Sequence, residues 1–193
     1  MSKESNPAWF VEALVYAAQA HGATTRKGTT LPYVLHPIEV AATLLRHGAS
    51  RELVTAGLLH DVVEDTGTSV DEIRAHFGGE VAALVAAVTE QKLNAQGEER
   101  DWRVRKDEQL AHLAQAPRDV ALLKAADTLA NARAIVGDWK QVGDVVWERF
   151  NAGKERQAWY YTQVFEVARM RLGAHALVKE LRLAIAELTN AAM

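Results

Sequence analysis

Apolar residues recur mostly three and four apart along nearly the whole chain, and no segment shows the strict alternation of a strand. That spacing predicts an all-α protein. It places helices near 8–21, 37–47, 51–65, 70–76, 79–93, 101–115, 118–136, 144–172 and 174–190. Start signals agree: Ser50 precedes Arg51-Glu52-Leu53-Val54, Ser69 stands ahead of Glu72 as a capping box, and Asn6 precedes Pro7. Gly48, Gly67 and Gly78 mark stops. The widest irregular stretches are 22–36 and 94–100. No internal repeat and no low-complexity tract interrupts the pattern, so solenoids and flexible linkers are not expected, and residues 1–193 read as one domain.

Size, composition and charge change this picture. With 193 residues the chain buries a substantial core without disulfides or a structural zinc cluster, so a metal here would serve chemistry. There is no cysteine, which excludes thiol nucleophiles and iron–sulfur ligation. The balance of 22 Lys+Arg against 25 Asp+Glu, a net charge of −3, argues against general nucleic-acid binding, which needs a basic face. The longest unbroken apolar run, 81–88, falls far short of the ~20 residues that cross a bilayer, so no membrane association is expected. The start, MSKESNPAWF, lacks a secretory pattern, and a cytoplasmic location is the expectation.

Polar residues placed where the pattern asks for apolar ones carry the candidate chemistry. In Leu58-Leu59-His60-Asp61-Val62-Val63-Glu64-Asp65, two pairs four apart, His60 with Glu64 and Asp61 with Asp65, form adjacent stripes on one helix side, while Leu59, Val62 and Val63 face the core. Three buried carboxylates so close would repel and take up protons unless a cation sat among them, and imidazole beside carboxylate suits a divalent ion. The alternative is a solvated face with one satisfied histidine.

A second anomaly is Asp127, set among Ala and Leu, with Lys124 and Asn131 on its stripe. It reads as a ligand to a shared ion or as half of an intrahelical pair with Lys124. Third, His36 directly precedes Pro37, which predicts an extended or turn residue just ahead of a helix. Its plainer reading is a capping or surface histidine.

Taken together, AHGATTRKGTTLPYVLHP, LLHDVVEDT, FGGEVAALVAAVT and LKAADTLANARAI resemble the HD-domain metal-dependent phosphohydrolases. The likeness is to the hydrolase domain of the RelA/SpoT family and its single-domain relatives, the small alarmone hydrolases. It runs from about 8 to 136, and WERFNAGKERQAWYYTQV is similar in outline to the supporting C-terminal helices, about 144–190. The resemblance implies a helical HD-type bundle in which His36, His60, Asp61 and Asp127 hold one ion, usually Mn²⁺, other divalent transition metals also suiting the set. It implies that Glu64 and Asp65 position and activate water, that Arg26 and Lys27 contact the nucleotide, and that Asn131 lies near the ribose and phosphates. Lys92 joins this substrate-binding set.

The reaction implied is removal of the 3′-pyrophosphate from (p)ppGpp, returning GDP or GTP. The alternatives are an HD-family hydrolase of another nucleotide (an adenine alarmone, a dNTP, a nucleoside monophosphate or NADPH) or a nucleotide-binding regulator without turnover. The partner in every case is a small nucleotide.

Other features carry less. Arg100, Arg103, Arg105 and Lys106 form a basic cluster that suits either a polyphosphate tail or a solvated helix face. The histidines at 21, 47, 76, 112 and 175 read as core or surface residues, His21 being the one nearest the candidate site, and most of Trp139, Trp147, Trp159, Tyr160 and Tyr161 read as core. Thr128 stands where the family usually carries a basic residue, Ala130 where it carries a larger polar or aromatic one, and Thr89-Glu90 where Thr-Asp is commoner. These departures bear on substrate identity and leave the ligand set intact. No synthetase or regulatory domain fits in the remaining residues, so a hydrolase-only protein is expected.

Overall fold

The spacing of three and four becomes ten α-helices and one 3₁₀ segment in this computed structural model, which describes residues 7–192. Among those residues the only extended pairings are two isolated bridges, Thr25 with Pro32 and Leu93 with Glu99. Among the described residues no helix is long and apolar enough to cross a membrane. The chain falls into two compact units: residues up to Arg26 with Thr30–Thr89, and Lys27–Thr29 with the chain from Glu90 onward.

The first unit contains α1 (Ala8–His21), α2 (Leu35–Arg46), α3 (Arg51–Leu59), α4 (Val62–Asp65), α5 (Val70–Phe77) and α6 (Gly79–Val88). Every residue of α3 from Leu53 to Leu59 is buried, because α1, α2 and α6 all pack against it. A helix apolar on all sides is a central one, and its C-terminal end delivers His60. Both predicted caps form here. Ser50 Oγ accepts from Leu53 N at 3.2 Å, and Ser69 with Glu72 makes the capping box. Asn6 lies outside the described residues, and Pro7 takes the N-cap position of α1.

In the second unit α7 (Trp102–Gln115) leads to a 25-residue α8 (Arg118–Val142), then the 3₁₀ segment Gly143–Arg149, α9 (Gly153–Leu172) and α10 (Ala176–Ala191). Here α8 is central, packed on α9, α10 and the 3₁₀ segment. His175 caps α10, its Nδ1 accepting from Leu177 N at 3.2 Å.

Several boundaries depart from the predicted ones. The second helix starts at Leu35, so His36 is helical and not extended: Pro37 sits in the first turn, where its missing N–H has no intrahelical partner to lose. The third stops at Leu59 because His60 and Asp61 form a turn that keeps right-handed dihedrals, Asp61 at φ −94° and ψ −8°, before α4 resumes. The sixth ends at Val88, where Thr89 swings to ψ 126° and turns its hydroxyl back to Val85 O at 2.8 Å. The eighth runs on to Val142, and 143–149 is 3₁₀, not α.

Candidate metal centre

In the first unit the site grows from the hairpin of α2 and α3. A Cβ on Gly57 would lie 2.7 Å from Leu44 Cδ1 and 3.5 Å from both Ala41 Cα and Val40 Cγ1, so the two helices meet where one has no side chain. One turn further along each helix stand the imidazoles. His36 Nε2 and His60 Nε2 are 3.3 Å apart, and both rings are buried.

His60 Nδ1 lies 3.0 Å from Gly57 O. A carbonyl only accepts, so Nδ1 carries the hydrogen and the neutral ring presents a lone pair at Nε2. Asp61 Oδ2 is 3.1 Å from that lone pair and 3.5 Å from His36 Nε2. Electron-pair donors this close require a proton or a cation between them, and two imidazoles with a carboxylate are donors that a divalent transition metal accepts.

Around this cluster, Tyr33 Oη donates to Asp61 Oδ2 at 2.6 Å, and the Tyr33 ring lies 4.6 Å from that of buried His21. Burial pushes the His21 ring below the ordinary imidazole range, against the opposing charges of Asp61 and Asp65. Arg26 is half-buried, its Cζ 5.9 Å from the centre of the Tyr33 ring, and its backbone N–H donates to Leu31 O at 2.8 Å. Glu64 is half-buried and Asp65 exposed. The expectation of three buried carboxylates is therefore corrected: Asp61 keeps 18% of its side chain exposed, and the turn at 60–61 lifts Glu64 and Asp65 toward solvent.

In the second unit α8 buries Asp127. Lys124 Nζ lies 2.8 Å from its Oδ2 and Asn131 Nδ2 donates to its Oδ1 at 2.6 Å, so the predicted stripe forms as one hydrogen-bonded row. Thr128 and Ala130 are buried beside it, Thr128 Oγ1 donating to Lys124 O at 2.7 Å. Lys92 and Lys27 are exposed. Next to Lys27, Gly28 takes φ 73° and lies under the Arg149 side chain, which pairs with Asp138; a Cβ there would sit 2.5 Å from Arg149 Cδ.

The basic cluster is matched by carboxylates at every member. Arg100 pairs with Glu108 at 2.6 Å, Arg103 with Asp107 at 2.9 Å, and both Arg105 and Lys106 with Glu90 at 2.8 and 2.7 Å. Burial alone would raise the Glu90 carboxyl, but Lys106, Arg105 and Lys124 together hold it below the ordinary carboxylate range.

A family model described as HD domain matches residues 13–155, which include the His-Asp pair at 60–61 and Asp127. The chain belongs to the HD-domain family. Its relatives include the guanosine-3′,5′-bis(diphosphate) 3′-pyrophosphohydrolase MESH1 of Xenopus tropicalis, 32% identical over 178 residues that cover 91% of each chain. The Homo sapiens protein of the same name is 40% identical over 134 residues, 67% of this chain and 70% of that one. Among solved structures, one described as a metazoan ortholog of SpoT that hydrolyzes ppGpp superposes with a TM-score of 0.74 at 29% identity, covering 98% of this chain and 97% of its own.

Within this HD-domain chain, sequence reasoning left Tyr33 and Gly57 without roles. Neither contact has a local signature: Tyr33 is 28 residues from Asp61, and Gly57 looks like a helix-weakening glycine. Tyr160, read as core, is buried; its hydroxyl donates to Gln109 Oε1, and burial pushes its pKa up to about 12. The folded state thus prefers the neutral phenol. Its contribution to stability is fully present below the ordinary value of 10.0 and is lost as pH rises toward about 12, roughly 2–3 kcal/mol in all. Urea unfolding across that range is expected to show the loss in the wild type and a shallower decline in Tyr160→Phe; equal alkaline slopes would assign the loss to other groups.

Proposed function

We propose that this chain is a metal-dependent hydrolase that removes the 3′-pyrophosphate from guanosine 3′,5′-bis(diphosphate) and its triphosphate analogue, releasing pyrophosphate and GDP or GTP. The observation that carries the reading is the convergence of His36 Nε2, His60 Nε2 and Asp61 Oδ2 at 3.1–3.5 Å in a chain of the HD-domain family. The substrate follows from the likeness to guanosine-3′,5′-bis(diphosphate) 3′-pyrophosphohydrolases over 91% of the length. We place the activity in the cytoplasm.

His36, His60 and Asp127 are buried and each offers one ligand atom; with Asp61 they form the set assigned to a single Mn²⁺, for which other divalent transition metals can substitute. When bound, the cation neutralises phosphate oxygens and makes water a better nucleophile. Glu64 or Asp65 takes the proton from the attacking water and returns one to the ribose O3′ as the phosphorus–oxygen bond breaks. Lys124 and Asn131 hold the two oxygens of Asp127 in fixed directions. Asn131 further contacts ribose and phosphate, and Arg26, Lys27 and Lys92 supply positive charge to the polyphosphate. Arg26 also offers a guanidinium plane for the purine.

The test is direct. Manganese-loaded protein incubated with ppGpp, ppApp, dNTPs, nucleoside monophosphates and NADPH, with products separated by anion exchange, is expected to yield GDP and pyrophosphate from ppGpp. Turnover of other nucleotides with ppGpp untouched would replace the substrate, and no turnover of any would favour a binding protein.

A further inference from the structure

The irregular stretch between α1 and α2 would leave a side chain free to wander, yet Tyr33 is fixed at three levels. Its backbone N–H donates to Thr24 O at 2.8 Å, and its carbonyl accepts from His36 N at 2.9 Å, which ties it to the first turn of α2. Its ring stands between two imidazoles, 4.6 Å from His21 at 37° and 6.0 Å from His36 at 71°. Its hydroxyl ends 2.6 Å from Asp61 Oδ2, the length of a hydrogen bond to a charged acceptor.

Asp61 needs such a partner. It occupies the turn between α3 and α4, where its own helix does not dictate its direction, and its Oδ2 lies 3.1 Å from His60 Nε2 and 3.5 Å from His36 Nε2. Resting on the metal reading above, we propose that Tyr33 is a positioning residue for the metal centre: its hydroxyl holds Asp61 Oδ2 toward His36 and His60, so that a carboxylate on a turn is ordered before the cation arrives. His21 serves as the plate behind the ring. Its Nε2 is buried without a partner, so in this arrangement the imidazole contributes its face and not a hydrogen bond from that nitrogen.

Outer hydrogen bonds of this kind typically change metal affinity by about 10–100-fold. Tyr33→Phe keeps the ring and removes only the hydroxyl. Titration of metal-free protein with Mn²⁺, followed by the electron paramagnetic resonance signal of the free ion, is expected to give a Kd about 10–100-fold weaker in the variant than in the wild type. Far-UV circular dichroism is expected to be unchanged. In assays with ppGpp, excess Mn²⁺ is expected to restore kcat, with KM for the nucleotide unaltered.

An unchanged Mn²⁺ Kd in Tyr33→Phe would overturn the assignment while leaving the metal reading in place. A raised KM that excess Mn²⁺ does not correct would overturn it too, since the hydroxyl would then act on the substrate. A wild type that takes up no divalent ion would instead refute the metal reading itself.

Discussion

Replacing Glu64 with Gln is expected to lower kcat for ppGpp hydrolysis about 10²–10⁴-fold, the span a general acid–base group contributes, while the protein keeps its metal. Glu64 lies on α4, beyond the turn that carries His60 and Asp61, and it is half-buried. The convergent imidazole nitrogens take their carboxylate oxygen from Asp61 instead. The amide of Gln preserves shape and loses the charge and the capacity to accept a proton. Asp65→Asn, at the exposed end of the same helix, shows how the work is divided between the two. Single-turnover hydrolysis read beside metal content by atomic absorption decides the matter: if the ion departs with the activity, Glu64 is a ligand and the proposed roles are wrong.

Asp127→Asn is expected to do the reverse, shedding the ion and the activity together, with partial recovery in excess Mn²⁺. It also carries a cost in stability. Asp127 gives one oxygen to Lys124 and the other to Asn131 Nδ2, so both neighbours are donors. An amide has a single oxygen. Turned toward Lys124 its NH₂ meets a donor, turned toward Asn131 it requires that amide to flip and accept, and in either orientation the half-buried lysine loses its counter-charge. Leaving one such group unsatisfied costs about 1–3 kcal/mol. Urea midpoints of the metal-free proteins measure this part separately from ligation; a variant as stable as the wild type would mean that the row on α8 relaxes freely.

Most of the fold was legible in the sequence because its signals are local. Ser50 and Ser69 are caps in the sequence and in the structure, and the spacing of apolar residues locates every helix that packs. What local rules missed lies in competition between them. The residue before a proline avoids the helical region, yet His36 is helical, since the first turn costs Pro37 nothing and packing on α3 rewards the extension. The pattern of 51–65 is continuous, but the backbone turns at 60–61, and so carboxylates that the helical spacing would bury reach solvent.

The candidate site was partly visible: His60 and Asp61 stand out by interrupting a run of Leu and Val. Its supports were not. The pairing of Glu90 with Arg105 and Lys106 and the hydroxyl of Tyr33 on Asp61 join residues 15 to 28 apart, and no periodicity reports such contacts.

Gly57 shows that the motif has a hidden letter. A methyl group at position 57 would press on Leu44 Cδ1, the end of a wholly buried side chain, so that side chain or the spacing of α2 and α3 would have to shift beside the two rings. The same glycine lends its carbonyl to His60 and thereby chooses which ring nitrogen faces its counterpart. Reading HDxxED as GxxHDxxED adds to the polar residues the close approach of α2 and α3 that brings the two rings together.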